Sequence, residues 1–346
     1  MSLNNCSESE KETSNKGKKR VIIGAVAATV VVAIAAVCIY IFGIKVPRDK
    51  AYQEYVTAVS ECNSALDNYN ATVQKYNDRV KSVIALNDEL DATIKEAQGV
   101  VDCGDEPYEG EKITTLNNTL KDARNQKVTV PEIMLLSDAY VVSGDLSKAK
   151  KSDIELAKNS MVTATTALTN DIRNIETKTE SIVIPDYLDI VNKIDMQKKE
   201  LEESYAIQKQ IMSPAQDWVI TRLGTISDIA GIAPVTEEHD PNGNLNKAGG
   251  YTATIYFGTA LLGTQDLFGD AVIDEGTDGG GAVEVYASVE DATRRDSYLA
   301  NFDGTGYASG SHKVLGTMVL RTSNDLKASQ QETLTNAMVA AMIRLD

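Results

Sequence analysis

The sequence predicts a mainly α-helical protein with a single transmembrane helix, a long coiled-coil or helical-bundle stalk, and a C-terminal α/β domain of the α+β sandwich type. Three observations support this: an uncharged run at 21–44, an apolar seam over 52–101, and a change to glycine-rich, alternating segments near residue 213. Aromatic residues make up only 5% of the chain, which suits helices packed through small and aliphatic side chains.

The first element is a membrane segment. Residues 21–44 contain no charge, and a helix of that length spans ~36 Å, enough to cross a hydrocarbon core of ~30 Å. Basic residues at 16–20 precede it and predict a cytoplasmic N-terminus, because cytoplasmic flanks are enriched in Lys and Arg. We therefore expect a cytoplasmic tail over 1–20, a transmembrane helix over 21–44, and a C-terminus outside the cell.

Two kinds of processing compete with an uncleaved anchor. A signal peptidase could cut after Ala35, and a lipoprotein signal would use Cys38. Cleavage after Ala35 would leave nine apolar residues behind, and Val37 stands where a lipoprotein signal needs a small residue. The uncleaved anchor is the preferred interpretation.

Charge is distributed unevenly along the chain. Residues 1–44 hold five basic and three acidic residues, a net +2, so the total of −16 leaves −18 on residues 45–346. Such an acidic surface repels nucleic-acid phosphates and anionic lipid headgroups, which argues against nucleic-acid binding. Cationic peptides, metal cations or basic wall polymers remain compatible with it.

A long helical seam follows the membrane segment. Steps of three and four select fifteen positions between Tyr52 and Val101, of which fourteen are apolar or aromatic and Asn87 is the exception. This pattern is typical of a coiled coil or of one helix in an intramolecular bundle, and a single Asn in such a seam often fixes the register. Self-association through the 52–101 seam and packing within one chain are both compatible with it.

Cysteine spacing indicates no disulfide. Cys62 and Cys103 would lie roughly 60 Å apart along one helix, whereas a disulfide needs Cα atoms within about 7 Å. Cys62 is expected to be a buried residue of the seam.

Shorter helices complete the predicted stalk over 45–212. We expect helices over about 111–127, from after Pro131 to about Tyr140, from about 145 to Ile184, and from about 187 to 205, joined by turns and packed antiparallel. The stretch from Glu111 to Arg124, followed by Lys127-Val-Thr-Val-Pro131, resembles the FIVAR/Ebh-like helical modules of Gram-positive surface proteins. That resemblance implies an extracellular spacer or adhesive module.

A small α/β domain is predicted over 213–346. The pattern gives a helix to about Ser227, strands near 229–237, 251–257, 282–287 and 312–322, a glycine-rich excursion over 259–281, and helices over 289–301 and 326–345. This order predicts about four strands with helices on one face. The phrases Gly249-Gly-Tyr-Thr-Ala, Gly276-Thr-Asp-Gly-Gly and Ala308-Ser-Gly-Ser-His are similar to the terminal domain of uncharacterised membrane-anchored proteins of Firmicutes-type bacteria. The resemblance implies location and architecture only.

Candidate cation ligands fall in two acidic loops of this domain. Asp240, Asn242 and Asn244 alternate like the ligands of a calcium loop, but Gly is fourth and Tyr251 is twelfth, where an EF-hand has Gly sixth and Glu twelfth. A hairpin turn explains the same residues. The second set is Asp270, Asp274 and Asp278, for which a solvated loop is the alternative. Calcium is the one cofactor that these residues could bind, and none is required.

No catalytic set stands out. His312 has Asp303, Ser309 and Ser311 nearby in sequence, but there is no G-x-S-x-G elbow, and Gly276–Gly281 lacks the Lys-Ser/Thr of a P-loop. The leading hypothesis is therefore a non-enzymatic cell-surface protein that holds a small binding or envelope-organising domain on a helical spacer, with a surface protein or wall polymer as ligand. A cell-envelope hydrolase or peptidase using the C-terminal domain, and a signal-relay protein, are the alternatives.

Overall fold

The computed structural model describes residues 45–264, 266–306, 308 and 310–346. The chain divides into two compact units, one containing residues 45–91 and Gln126–Tyr187, the other Ala92–Asn125 and Leu188–Asp346. In these described ranges no helix combines the length and the apolar character that a membrane crossing requires. The predicted tail at 1–20 and transmembrane helix at 21–44 lie outside the described residues, and the predicted boundary at 212/213 stays a prediction.

Helix α1, Lys45–Val101, carries the predicted seam. Its inward positions in the first unit are buried, including Tyr55, Val59, Leu66, Val73 and Val83. They pack against residues of the same chain in two apolar clusters, so the seam is buried intramolecularly. Self-association through it stays a prediction.

An extended segment covers part of this seam. Residues 127–143, here called the strap, form neither helix nor strand, so the predicted short helix ending near Tyr140 is wrong. Asn63, Asn70 and Asn77 of α1 hold the strap, and we call these three residues the asparagine ladder. Each side-chain amide donates to a strap carbonyl and accepts from the same strap residue's N–H, pairing with Tyr140, Ser137 and Met134 respectively, at 2.8–2.9 Å.

The spacing of the ladder explains why the strap is extended. Seven helical residues rise ~10.5 Å, and the strap covers that distance with three residues, about 3.5 Å each, close to the limit for an extended chain. A helix over the same residues would rise only ~1.5 Å per residue and could not meet successive asparagines. The side chains of Ile133, Leu135 and Leu136 remain exposed.

Helix α3, Lys151–Ser181, runs parallel to α1 in the first unit. Lys158 pairs with Glu54 at 2.9 Å, and Arg79 donates two hydrogen bonds to the Ile182 carbonyl, so the contacts advance in the same direction along both helices. The predicted antiparallel arrangement is wrong here, because the strap returns the chain to the beginning of α1 before α3 starts. A short 3-10 turn, Gly144–Lys148, connects the strap to α3.

Asn87, the polar exception in the seam, lies in a buried polar corner of the first unit. The Tyr187 hydroxyl donates to Asn87 Oδ1 at 2.7 Å, the Asn87 side-chain amide donates to the Val128 carbonyl at 2.9 Å, and the Val128 N–H donates to the Tyr187 hydroxyl at 3.1 Å. This residue therefore ties the strap to the seam at a fixed position.

Helix α2, Glu111–Gln126, belongs to the second unit except for its last residue, and it runs antiparallel to helix α4, Leu188–Gln210, as predicted. Glu109 N donates to Ser204 Oγ, and Lys112 donates to the Glu200 carbonyl. Cys62 is buried in the first unit and Cys103 is exposed in the second, and both are free thiols, in agreement with the spacing argument.

The C-terminal domain is built on a five-stranded antiparallel sheet of order β1-β2-β3-β5-β4. Its elements are α5 Gln216–Leu223, β1 Ile229–Pro234, β2 Tyr251–Thr259, α6 Asp270–Glu275, β3 Gly280–Tyr286, α7 Val289–Ala300, β4 His312–Leu315, β5 Met318–Thr322 and α8 Ala328–Ile343. The coarse prediction of a mainly helical chain with a small C-terminal sheet is confirmed.

Two details of this domain differ from the prediction. The single strand expected over 312–322 is a hairpin, because Gly316 adopts φ +59° and turns the chain. Only glycine fits at this turn, since a Cβ atom there would lie 2.3 Å from the Ile211 carbonyl oxygen. The glycine-rich excursion contains α6.

Helices cover both faces of the sheet, so the expectation of helices on one face is wrong. Leu334 and Met338 of α8 and Val219 of α5 pack with Ile255 and Val283 on one face. Ala292 of α7 and Val272 of α6 belong to clusters on the opposite face. A covered second face explains why β3 and β5 are buried along their whole length.

Candidate functional site

Charged side chains converge on the second face of the sheet, beneath α7. Strand residues alternate between faces, so Glu284 and Tyr286 of β3 point away from Val283 and Val285, and Arg321 of β5 points away from Leu320. Glu284 is 1% exposed and Arg321 is 5% exposed. Buried ionised groups are rare unless they are paired, which makes this cluster the first candidate for a site.

The Glu284 carboxylate accepts four hydrogen bonds. Arg295 of α7 donates through Nε at 2.8 Å and Nη2 at 2.9 Å, Arg321 donates through Nη1 at 2.7 Å, and the Tyr286 hydroxyl donates at 2.8 Å. Two of the bonds reach each oxygen. A carboxylate with about four acceptor positions is saturated by this arrangement.

Electrostatics keep this carboxylate ionised. Burial alone would raise the pKa of Glu284, but the Arg321 and Arg295 charges and the hydrogen bonds outweigh it and hold the pKa below its usual value. Burial and the neighbouring Glu284 charge raise the pKa of Tyr286, and burial also raises the pKa of Tyr256. The cluster is therefore a buried ion-pair network in which the Glu284 carboxylate stays charged near neutral pH.

Arg321 keeps one donor without a partner. Its Nε is buried and forms no hydrogen bond within the described part of the chain. Arg295, by contrast, lies with its guanidinium 5.6 Å from the centre of the Tyr298 ring, a favourable cation–π distance.

His312 lies beside this cluster, opposite Arg321 on the neighbouring strand. Its Nδ1 is 2.6 Å from Asp296 and its Nε2 is 3.4 Å from Asp303. Both ring nitrogens thus face carboxylates, and among the described residues no hydroxyl lies within hydrogen-bond distance of either. The sequence places Asp303, Ser309 and Ser311 near His312. Of these three, Ser309 lies outside the described residues.

A shallow depression of about 340 Å³ adjoins the other side of His312. It lies between β4 and α8 and is lined by Ser311, Lys313, Gln331 and Thr335 among others. The Thr335 hydroxyl is buried and has no hydrogen-bond partner within the described residues. The depression is open to solvent, and most of the residues that line it are polar.

The first candidate cation loop is organised by Asp240 itself. Its carboxylate accepts from the Asn242 N–H at 3.0 Å, from the Leu245 N–H at 2.8 Å and from the Tyr251 hydroxyl. Burial would raise the pKa of Asp240, but these hydrogen bonds lower it overall. The Asn242 side-chain amide donates to the Tyr256 hydroxyl at 3.2 Å, and the Asn244 carbonyl accepts from the Lys247 N–H. The carboxylate thus has protein partners that explain its position.

The second candidate set lies at the surface. Asp270 and Asp274 are exposed residues of α6, with Asp270 3.7 Å from His239 Nδ1, and Asp278 is exposed beyond that helix. Within the described ranges, no three His, Cys, Asp or Glu side chains are arranged to hold a metal ion. Calcium binding at either set stays a prediction.

Sequence reasoning missed the Glu284, Arg295 and Arg321 cluster. The signal was present, since Glu284 interrupts the apolar strand Ala282-Val-Glu-Val-Tyr and Arg321 interrupts Met318-Val-Leu-Arg. Each of these two residues points to the face of the sheet opposite the apolar core. From the sequence alone that face looks solvent-exposed, because the position of α7 over it is not known.

Comparison with known families, curated proteins and solved structures finds no match to this chain. Function must therefore be argued from its own residues.

Proposed function

We propose that this chain is a membrane-anchored cell-surface protein, non-enzymatic, whose helical first unit is a spacer and whose C-terminal domain binds a partner in the cell envelope. The proposal combines the apolar run at 21–44 with the architecture of the described residues.

The observation that carries it is the position and packing of α1. The helix begins at Lys45, directly after the apolar run ends at Ile44. Its 47 residues in the first unit rise ~70 Å at ~1.5 Å per residue. The strap and α3 bury its inner face within the same chain. A helix supported in this way needs no second chain to hold its form, which suits a spacer.

The polar clusters of the C-terminal domain do not favour catalysis. Glu284 is saturated by its own partners, and the His312 ring nitrogens face two carboxylates. A catalytic base needs a free lone pair within reach of a substrate proton. The net charge of −18 on residues 45–346 favours a basic surface protein or a basic wall polymer as the partner.

Cysteine labelling of intact cells tests the proposed orientation. Cys103 is exposed, Cys62 is 0% exposed and Cys6 lies in the predicted cytoplasmic tail. A membrane-impermeant maleimide should label the full chain on intact cells, and Cys103→Ser should abolish that label, whereas Cys6→Ser should not change it. Labelling of Cys103 only after the cells are permeabilised would refute the orientation.

Membrane extraction tests the anchor itself. The full chain should stay with the membrane fraction in carbonate at high pH, which removes peripheral proteins. Release of the intact chain by carbonate would refute the anchor.

A further inference from the structure

Basic residues are concentrated at the start of the first unit. We call residues 45–51 of α1 together with 144–151, which lead into α3, the basic end. These two stretches contain six basic residues and two acidic ones, Asp49 and Asp145. The net +4 of the basic end contrasts with the −18 carried by residues 45–346 as a whole.

Packing brings the two stretches together. Leu146 and Ala149 are buried in the same apolar cluster as Ala51 and Tyr55. The Ser143 N–H donates to the Tyr55 hydroxyl at 3.5 Å. The 3-10 turn is therefore held against the first turns of α1, which brings the stretch 144–151 next to the beginning of that helix.

The lysines of the basic end are available to a partner. Lys50, Lys148, Lys150 and Lys151 are all exposed. Lys151 forms a loose pair with Glu155 at 3.4 Å, which is 46% exposed, and such surface pairs are weak. Among the described residues, no ion pair within 4.0 Å holds Lys50, Lys148 or Lys150.

We propose that the basic end binds the phosphate groups of anionic lipid headgroups in the membrane that holds residues 21–44. This inference rests on the proposed function, because the apolar run ends one residue before Lys45 and so brings the basic end to the membrane surface. Attraction between lysines and an anionic surface falls off within a Debye length of about 8–10 Å, so the basic residues nearest the anchor dominate it. The acidic remainder of the chain is repelled by the same surface.

Acetylation of lysines in reconstituted full chain tests the proposal. The chain is placed in nanodiscs of phosphatidylcholine alone or of phosphatidylcholine mixed with phosphatidylglycerol, and the acetylation rate of each lysine is followed by mass spectrometry. We expect Lys50, Lys148, Lys150 and Lys151 to react about fivefold more slowly in the anionic discs. The attraction between one lysine and a nearby anionic surface favours the bound state by about fivefold. Lys81 is the internal control, because its side chain is 59% exposed against 53% for Lys151.

A variant with Lys148, Lys150 and Lys151 changed to Gln should lose most of the protection at Lys50. A matched variant with Lys75, Lys81 and Lys95 changed to Gln removes the same charge from exposed positions elsewhere on α1 and should keep it. Raised salt should abolish the protection in the unaltered chain. Equal rates at the basic end in both lipids would overturn the proposal, as would protection that the first variant leaves unchanged.

The anchor is tested separately from the basic end. Flotation of the full chain with pure phosphatidylcholine vesicles at high salt depends on residues 21–44 and not on lysine charge. Flotation without lysine protection in anionic discs would overturn the lipid contact alone, and failure to float would overturn the anchor on which it rests.

Discussion

The asparagine ladder predicts an unusual pattern of amide hydrogen exchange in the strap. The N–H groups of Met134, Ser137 and Tyr140 donate to ladder side chains, each at 2.9 Å. The intervening residues, 135–136 and 138–139, form no backbone N–H bond within the described part of the chain. We therefore expect slow exchange at every third strap residue, in a segment with no helix or strand to account for it.

The change Asn70→Ala should remove this protection selectively at Ser137. It deletes two hydrogen bonds, one at 2.8 Å and one at 2.9 Å. At about 1 kcal/mol net for each bond, local opening becomes about 2 kcal/mol easier, so exchange at Ser137 should be about 30-fold faster. Met134 and Tyr140 keep their own asparagines and should change much less.

Residue-resolved exchange by NMR, or by mass spectrometry with electron-transfer fragmentation, measures this effect. Asn68→Ala is the matched control, because Asn68 is an exposed asparagine on the same helix, and it should leave strap exchange unchanged. Uniform exchange along the strap of the unaltered chain would refute the ladder. An equal increase at all three protected residues in Asn70→Ala would show that the strap opens as one body, which contradicts independent contacts.

Three further predictions concern the C-terminal domain. Glu284→Gln should lower the free energy of unfolding by about 3–5 kcal/mol in chemical denaturation, because it leaves two guanidinium groups without their counter-charge. The control Glu290→Gln, at a side chain that is 86% exposed, should change the free energy of unfolding by less than about 0.5 kcal/mol. Because folding lowers the pKa of Glu284, its stabilisation is complete above the ordinary value of 4.5 and is lost as the pH falls through the lower folded-state pKa, so an acid titration of stability should be flatter in Glu284→Gln. Gly316→Ala should lower the melting temperature, since it strains φ and places a Cβ 2.3 Å from the Ile211 carbonyl oxygen. The control Gly306→Ala should not lower it, because a Cβ there meets open space. Equal melting temperatures of the two variants would contradict this account of the hairpin.

Much of the helical architecture could be predicted from periodicity. Helix α1 follows the predicted seam from its first to its last position, and α2, α3 and α4 lie near the predicted ranges. Apolar spacing of three and four residues directly reports a buried helical face, which is why these elements were accessible. The relative directions of the helices could not be predicted from periodicity. A connection of 17 residues leads to an antiparallel neighbour if it is compact and to a parallel neighbour if it is extended along the first helix.

The strap shows why the predicted short helix ending near Tyr140 is wrong. Its residues Ile133, Met134, Leu135 and Leu136 have good helix propensity, and local propensity predicted a helix after Pro131. The deciding information lies elsewhere, in the seven-residue spacing of Asn63, Asn70 and Asn77 on another element. These asparagines lie beside the apolar seam and so look like solvent-facing residues until their partner is known.

The candidate site was hidden for the same reason. A glutamate and an arginine in alternate phase on two strands are consistent with an exposed face, and only the position of α7 makes them a buried cluster. The acidic loops attracted notice because their ligands are close in sequence, yet Asp240 is occupied by its own loop and by Tyr251. Residues that are close in sequence pointed to a turn, namely the Asp240 loop. The buried cluster could not be found in that way, because it joins residues up to 37 positions apart.

The asparagine ladder and the Glu284 cluster both place hydrogen-bonding groups where apolar side chains would also fill space. Hydrogen bonds constrain the register of packed elements more strongly than apolar contacts do. Apolar contacts tolerate sliding, because neighbouring registers bury similar area, whereas each ladder asparagine meets a donor and an acceptor on one strap residue only. A shift of the strap by one residue would break the paired bonds of all three asparagines together, at about 1 kcal/mol for each bond. The four bonds to Glu284 act similarly between β3, β5 and α7, since misplacing any one element leaves a buried charge unpaired. We infer that these polar contacts select one register among several of similar apolar burial. A strap free to slide would change the position at which α3 begins, so this selection also fixes α3 against α1.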